Sequence, residues 1–354
     1  MSKFISKKLD ALEAYVPGEQ PQDRTYVKLN TNECPFPPSP YAQRLARQAA
    51  GSLNLYCDPE CRVLSSVAAE VFGVKKENVI FTNGSDEVLN FAFLAFCDEK
   101  TPAVFPDVTY GFYSVFAGVN GVLYREIPVT EELKINPADY FDAKGTIFIA
   151  NPNAPTGIAL SLSEIEEIIK NNPQNVVVID EAYVDFGGES ALPLIEKYDN
   201  LLVTRTFSKS RSLAGGRLGV GFACEEIIKD LNKIKYSTNP YNVNSMTAGA
   251  GVGALLDKEY FEKNVQMIQS NRAYLTAELE KMGFVVLPSS ANFVFAKKEG
   301  LPGEAYYRAL KEKGVLVRYF GKERLKEFTR ITVGTKEEID LLLAATKAIS
   351  EERK

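Results

Sequence analysis

Short apolar segments alternate with helical patterns between residues 62 and 204. Segments typical of buried strands lie at 79–82, 103–105, 146–150, 176–179 and 201–204, and helical periodicity spans 62–71, 85–96 and 163–170. Parallel strands need a long crossover connection, which is usually a helix. The alternation therefore predicts an α/β fold with a mostly parallel sheet covered by helices.

A different pattern begins near residue 236. Residues 236–242 are typical of a linker, and a long helical stretch spans 244–282. Four short strand segments follow at 284–287, 293–295, 315–317 and 328–333, around a helix at 303–313. This mixture predicts a smaller α+β unit.

The composition excludes several classes of function. The net charge of −5 disfavours nucleic acid as the main partner, and no apolar run approaches the ~20 residues of a membrane span. The basic start has no apolar core behind it and the five cysteines form no framework, so we expect a cytoplasmic protein. The absence of histidine excludes Ser-His-Asp chemistry and histidine-ligated metals. Cys57 and Cys61 lack a second ligand pair, so we expect no metal site.

A lysine follows the strand segment at 201–204 and lies in a polar, glycine-rich turn. Lys209 comes just after the hydroxyls of Thr206 and Ser208, and Arg217 follows in the same turn. The amine can condense with an aldehyde, while the hydroxyls and the guanidinium can hold a phosphate. Pyridoxal phosphate carries both groups, and it requires a Schiff-base lysine and an acidic partner for its ring nitrogen.

The acidic partner has a candidate upstream. Asp180 ends the strand segment at 176–179, and Tyr183 follows three residues later. Both residues also have ordinary interpretations, since an aspartate at the end of a strand often caps a helix and a tyrosine is often half-buried. The pairing of a lysine and a carboxylate at two strand ends favours the cofactor site.

Several sequence blocks can be compared with known families. They are Leu29–Glu33 (LNTNE), Leu55–Tyr56, Asn83–Glu87 (NGSDE), Thr109–Gly111 (TYG), the segment from Asn151–Gly157 (NPNAPTG) through Asp180–Tyr183 (DEAY) to Ser208–Gly219 (SKSRSLAGGRLG), and Arg330–Thr335 (RITVGT). In content and order they resemble the aminotransferases of fold type I, and within these the histidinol-phosphate aminotransferase family. The resemblance extends nearly from end to end.

The resemblance implies an architecture. It consists of a large domain with a seven-stranded, mostly parallel sheet, which binds pyridoxal 5′-phosphate, and a smaller α+β domain. We expect residues 1–30 to form an N-terminal arm that joins the small domain. The large domain would span residues 31–240 and the small domain residues 241–354.

The resemblance also implies roles for single residues. Lys209 would bind the cofactor and then move a proton on the substrate, Asp180 would keep the ring nitrogen protonated, and Tyr183 would hydrogen-bond the phenolic oxygen. Tyr110 would stack on the ring. The cofactor phosphate would be held by Gly84, Ser85, Asp86, Thr206, Ser208 and Arg217, with Asp86 contributing its backbone rather than its carboxylate.

Two positions depart from the family pattern. Ala154 stands before Pro-Thr-Gly, where relatives usually have an asparagine that reaches the cofactor's phenolic oxygen. We expect the adjacent Asn153 to substitute for it through a shift of the loop, although neighbours on an extended segment face opposite ways. Cys34 replaces an asparagine of the opening motif.

The family pattern further implies substrate and partner contacts. Arg330 would grip the substrate's carboxylate or phosphate and Arg318 its distal anion, since planar guanidinium groups suit both. Tyr15 would lie near the substrate. Tyr56 would reach the cofactor phosphate of a neighbouring subunit, which implies a homodimer.

The function we expect is transamination between L-histidinol phosphate and 2-oxoglutarate, a step in histidine biosynthesis. The alternatives are an aromatic or other amino-acid aminotransferase and a decarboxylase of the threonine-phosphate type. A non-catalytic module that senses effectors through pyridoxal phosphate would need a DNA-binding domain, for which we expect no room before Leu29.

Overall fold

The structure, a computed structural model, describes residues 2–9 and 12–352. An arm precedes the first long helix, and its strand β1 (Val27–Lys28) pairs in parallel with residues 315–316 near the other end of the chain. Leu29, directly after β1, is buried in a core made mainly by residues beyond 260. The arm is thereby attached to the C-terminal part.

A seven-stranded sheet forms the centre of the larger part of the described chain. Its strands are β2 (Val79–Thr82), β3 (Ala103–Pro106), β4 (Tyr124–Ile127), β5 (Thr146–Ala150), β6 (Val177–Asp180), β7 (Leu201–Thr206) and β8 (Gly219–Ala223). Their spatial order is β2-β8-β7-β6-β5-β3-β4, and only β8 runs antiparallel to its neighbours. Every residue of β2, β3, β5, β6 and β8 is buried, as expected of a sheet covered on both faces.

Helices cover the two faces of this sheet. They are α1 (Pro40–Ala50), α2 (Arg62–Phe72), α3 (Ser85–Phe96), α4 (Phe112–Asn120), α5 (Leu162–Lys170), α6 (Glu225–Thr238) and α7 (Ser245–Leu256). Alternate strand residues separate into two cores, because successive side chains point to opposite faces. Ile149 belongs to the core that also contains residues of α1, α2, α5 and α7, whereas Phe148 belongs to the core with residues of α3, α4 and α6. The predicted α/β class is confirmed.

A smaller α+β unit follows, as predicted. It contains α8 (Lys258–Lys281), β9 (Val285–Val286), β10 (Phe293–Lys297), α9 (Gly303–Glu312), β11 (Val315–Leu316), β12 (Arg318–Tyr319), β13 (Thr329–Thr332) and α10 (Lys336–Glu352). Four of its strands form an antiparallel sheet in the order β12-β13-β10-β9, while β11 is the partner of β1. Apolar residues of α8, α9 and α10 pack against this sheet.

The helical stretch predicted over 244–282 is helical but is divided into two helices. The chain leaves the helical conformation at Asp257 (φ −88°, ψ 66°), so α7 and α8 are separate helices. Ala250 and Ala254 of α7 pack with α1 and α2 under the large sheet, whereas Ile268 of α8 lies in the smaller core. The domain boundary at residues 240 and 241 stays a prediction, and we propose that the division lies nearer Asp257.

Candidate active site

A cleft of about 630 Å³ opens at the carboxyl edge of the large sheet. Its walls include the ends of β6 and β7, the arm around Tyr15, and Arg330 of β13. Crevices outside the carboxyl ends of parallel strands are the usual ligand sites of such sheets. The cleft thus brings together segments that are far apart in the sequence.

Lys209 lies in the loop that joins β7 to β8. This loop is closed by a hydrogen bond of 3.0 Å from the amide of Phe207 to the carbonyl of Leu218. The Nζ of Lys209 donates to the carbonyl oxygen of Thr31 at 3.2 Å. Burial and the positive charge of Arg330 lower the pKa of Lys209 to about 8. A much larger fraction of neutral amine is therefore present near neutral pH than for an exposed lysine.

Asp180 ends β6 and is buried beside the cleft. Its Oδ1 accepts a hydrogen bond of 3.1 Å from Thr204, and its Oδ2 accepts one of 3.3 Å from the hydroxyl of Tyr113. Burial, with a smaller contribution from Asp86, raises the pKa of Asp180 to about 6. Sequence reasoning missed Tyr113 because its partner lies 67 residues away and its local pattern on α4 is that of a core residue.

The start of α3 meets the β7–β8 loop, which contains Arg217, at one side of the cleft. Gly84 has a φ of +84°, and a Cβ there would lie 2.6 Å from Nη2 of Arg217. The Nη1 of Arg217 donates to Ser208 at 3.4 Å, and the hydroxyl of Thr206 accepts from the amide of Ser208 at 3.1 Å. The first amides of a helix have no acceptor within the helix and attract anions. These residues, with Ser85, can hold a phosphate.

Asp86 lies in the first turn of α3. Its Oδ1 accepts a hydrogen bond of 2.9 Å from the hydroxyl of Tyr110, and its Oδ2 lies 3.5 Å from Nη2 of Arg217. The carboxylate is thus directed to Tyr110 and Arg217. Tyr110 in turn lines the cleft with its ring edge-on to Tyr113, at a centroid distance of 5.7 Å.

Asn153 and Ala154 face different surroundings. The amide group of Asn153 donates to the carbonyl of Val108 at 2.9 Å and to the hydroxyl of Thr156 at 3.2 Å, and it accepts from Thr109 at 3.2 Å. Ala154 lines the cleft, and Asn153 is not among the residues that do so in the described part of the chain. These contacts are those of a residue that stabilises the loop, so Asn153 is not part of the cofactor site proposed below.

Two arginines of the smaller α+β unit also line the cleft. Arg330 donates from Nη2 to the carbonyl of Asn30 at 3.0 Å, and its buried Nε has no acceptor among the residues described. Arg318 donates to the carbonyls of Val16 and Pro17 at 2.9 and 3.2 Å, so it holds the arm. A buried guanidinium with a spare donor is a candidate anion site.

The two remaining predicted tyrosines occupy different environments. Tyr15 lines the cleft and packs on Phe112 at a centroid distance of 4.3 Å. Tyr56 is 84% exposed, stacks on Tyr241 at 4.5 Å, and lies outside the set of residues that line the described cleft. Its surface position leaves it accessible to a second subunit.

The family model for aminotransferases of class I and II matches residues 24–345. This chain belongs to that family. The aminotransferase is 44% identical to the histidinol-phosphate aminotransferase of Brachyspira hyodysenteriae, with 99% of each chain covered, and 43% identical to that of Clostridium botulinum, also with 99% of each covered. The resemblance predicted from the sequence blocks is confirmed.

A solved structure of similar fold is the histidinol-phosphate aminotransferase of Sinorhizobium meliloti in complex with pyridoxal 5′-phosphate. It matches with a TM-score of 0.90 and 23% sequence identity, over 100% of this chain and 99% of that one. The shared fold confirms the predicted fold type I architecture of the aminotransferase. Over residues 2–9 and 12–352, none of its helices combines the length and apolar character needed to cross a bilayer.

Proposed function

We propose that this aminotransferase uses pyridoxal 5′-phosphate to move the amino group of L-histidinol phosphate to 2-oxoglutarate, giving imidazole acetol phosphate and L-glutamate. The names of these two relatives, at 44% and 43% identity, support this reaction. The main structural support is the position of Lys209, which lies in the same cleft as buried Asp180 and as Arg217 with its proposed phosphate site. The pKa of Lys209 is lowered to about 8.

The residues of the cleft fit this cofactor. The start of α3 together with Arg217 and Ser208 offers donors to a phosphate, and the buried carboxylate of Asp180 suits a protonated ring nitrogen. Tyr110 provides an aromatic face between them. When bound, the cofactor supplies the electron sink for bond cleavage at the substrate's Cα.

Each side chain then has a definite task. Lys209 in its neutral form would take a proton from the substrate's Cα and return it to the C4′ carbon of the cofactor, which is two bonds away across the nitrogen. Asp180, fixed by Thr204 and Tyr113, keeps a proton on the ring nitrogen by its negative charge. Tyr183 donates a hydrogen bond to the phenolic oxygen. The closed loop around Lys209 keeps its amine at the reacting carbon.

The arginines provide recognition of anions. The Nε of Arg330, which has no acceptor within residues 2–9 and 12–352, is available for a carboxylate or a phosphate, and Arg318, which contacts the arm, lines the same cleft as Tyr15. Histidinol phosphate, the proposed amino donor, and 2-oxoglutarate, the acceptor, each have an anionic end. One set of guanidinium groups can therefore serve both in turn.

The decisive experiment is a panel of amino donors tested with 2-oxoglutarate. We expect histidinol phosphate to be preferred over unphosphorylated histidinol by roughly ten- to a hundredfold in kcat/KM, the value of one charged hydrogen bond. Phenylalanine or tyrosine as the better donor would establish the aromatic aminotransferase instead. Release of carbon dioxide from threonine phosphate without an amino acceptor would establish the decarboxylase.

We further propose a cytoplasmic homodimer in which Tyr56 completes the neighbouring site. The exposed apolar side chains of Leu53, Leu55 and Val63, which are near Tyr56 in the sequence, support this region as the subunit contact. Mixing inactive Lys209→Ala and Tyr56→Ala chains should restore activity, because one site of each mixed dimer receives both native residues. If Tyr56 acted within its own chain, every site would keep a defect and the mixture would stay inactive.

A further inference from the structure

Asn32 lies between β1 and α1, beside Tyr183 in the lining of the cleft, and is 1% exposed. Its backbone is left-handed with φ at 55°, a conformation that asparagine tolerates better than most residues. Its amide N–H donates to the hydroxyl of Thr332 at 3.0 Å, and its carbonyl accepts from Nδ2 of Asn292 at 3.0 Å. The residue is thus fixed to β13 and to the segment before β10.

The hydroxyl of Thr332 also sets the orientation of the Asn32 side chain. Because Thr332 Oγ1 accepts from the backbone of Asn32, its proton is free to be donated to Asn32 Oδ1, which lies 3.0 Å away. The Nδ2 of Asn32 then faces the hydroxyl of Tyr183 and donates to it at 3.0 Å. The amide of Asn32 is oriented by a group that does not touch the cleft.

This arrangement decides where the proton of Tyr183 points. A phenol oxygen that accepts from Asn32 must direct its own O–H elsewhere. The remaining space beside Tyr183 is the cleft, which Lys209 and Ala154 also line. The side chain of Ala154 offers only a methyl group, so the O–H of Tyr183 can supply a hydrogen bond that residue 154 does not.

We propose that Asn32 is a positioning residue that holds Tyr183 as a donor toward the phenolic oxygen of the cofactor. This inference rests on the proposed function, because that oxygen belongs to pyridoxal phosphate. Asn32 lines the cleft, and the role proposed for it is to orient Tyr183 rather than to bind a reacting atom. Because Asn32 donates a hydrogen bond to the hydroxyl oxygen of Tyr183, the hydroxyl proton of Tyr183 is directed into the cleft.

The test uses the absorbance of enzyme-bound pyridoxal phosphate as a function of pH. A hydrogen bond to the phenolic oxygen disperses its negative charge. Losing this bond lets the nitrogen that Lys209 contributes to the bound cofactor keep its proton to higher pH. Tyr183→Phe should therefore raise the pH midpoint of the absorbance change by about one pH unit, which corresponds to one hydrogen bond to a charged group. Asn32→Gly, which keeps the left-handed backbone and adds no charge, should raise it in the same direction by less.

Non-additivity is the decisive result. In the Tyr183→Phe background, Asn32→Gly should cause no further shift, because its effect passes through the tyrosine hydroxyl. Thr332→Val, which removes the group that orients the amide, should also raise the midpoint. Asn172→Ala is the matched control: Asn172 is equally buried and bonded to Tyr140, Ala143 and Ile168, so it should lower the melting temperature and leave the midpoint unchanged.

Two results would overturn the inference. One is an unchanged midpoint in both Asn32→Gly and Thr332→Val while Tyr183→Phe shifts it. The other is an equal shift from Asn32→Gly with and without the tyrosine hydroxyl. A wild-type chain that forms no chromophore with pyridoxal phosphate would instead refute the proposed function, so the two failures are distinguishable.

Discussion

The hydroxyl of Tyr113 donates a hydrogen bond of 3.3 Å to Oδ2 of Asp180, across 67 residues of sequence. Thr204 holds the other carboxylate oxygen. Two donors on opposite oxygens restrict the rotation of the carboxylate, and burial keeps water from competing for it. The direction in which Asp180 presents its charge is therefore set by α4 and β7 together.

Replacing Asp180 by asparagine tests that charge. Asp180→Asn should leave the cofactor bound but reduce turnover by at least about a hundredfold, because a neutral amide does not stabilise a protonated ring. Tyr113→Phe and Thr204→Val each remove one orienting bond and should cost about tenfold or less. Single-turnover absorbance measures both effects. Near wild-type turnover in Asp180→Asn would show that another group holds the ring nitrogen.

Replacing Lys209 by alanine tests the covalent anchor. Transamination should be abolished, while Asp180 and Arg217 still retain pyridoxal phosphate without a covalent bond. Borohydride reduction followed by peptide mass analysis should label Lys209 in the wild type and no peptide in Lys209→Ala. A reduced adduct on a different lysine would contradict the assignment.

Cofactor capture should depend on pH through the amine of Lys209. Burial lowers its pKa to about 8, so the rate at which apoenzyme captures pyridoxal phosphate should rise with pH through a midpoint near 8. Arg330 contributes to this lowering, and Arg330→Ala should move the midpoint upward. Arg318→Ala is the control and should leave it in place. A midpoint near 10.4, the value of a free lysine, would refute the burial argument.

The two arginines should differ in their effects on the half-reactions. Arg330→Ala should weaken the reactions of both histidinol phosphate and glutamate, since its spare donor faces either anion. The loss of a charged hydrogen bond of ~1.5–3 kcal/mol corresponds to roughly ten- to more than a hundredfold in kcat/KM. Arg318→Ala should reduce the glutamate half-reaction at least as much as the other. Pre-steady-state measurement of each half-reaction separates them, and equal activity of Arg330→Ala and wild type with both donors would exclude this arginine from recognition.

The sequence alone predicted the parts of the site that follow from strand ends. Lys209 and Asp180 each follow a continuous apolar segment, and parallel strands β6 and β7 are neighbours, so their ends meet at one edge. The start of α3 could be predicted for the same reason. These features depend on local patterns and on the general rules of parallel sheets.

Other features depend on contacts that no local pattern reveals. β8 was not predicted, because its glycines at 219 and 221 have low strand propensity. They are required by packing, since a Cβ on Gly219 would lie 2.2 Å from the amide nitrogen of Ser85. The contact between Asn32 and Tyr183 spans 151 residues, and the sequence gives no sign of it beyond the presence of both motifs.

The antiparallel direction of β8 has a consequence for how the enzyme can change. Because β8 is antiparallel, the chain turns back directly after β7. Lys209 and Arg217 therefore lie in one short loop, a ring of backbone that is closed where Thr206 pairs with Gly219. The spacing between the lysine and the arginine is fixed within that ring. Arg318 and Arg330, for which we propose contacts with the substrate, are carried by the other, smaller sheet. New amino donors could thus be accommodated by altering β12, β13 and the arm, while the cofactor-holding ring is inherited unchanged.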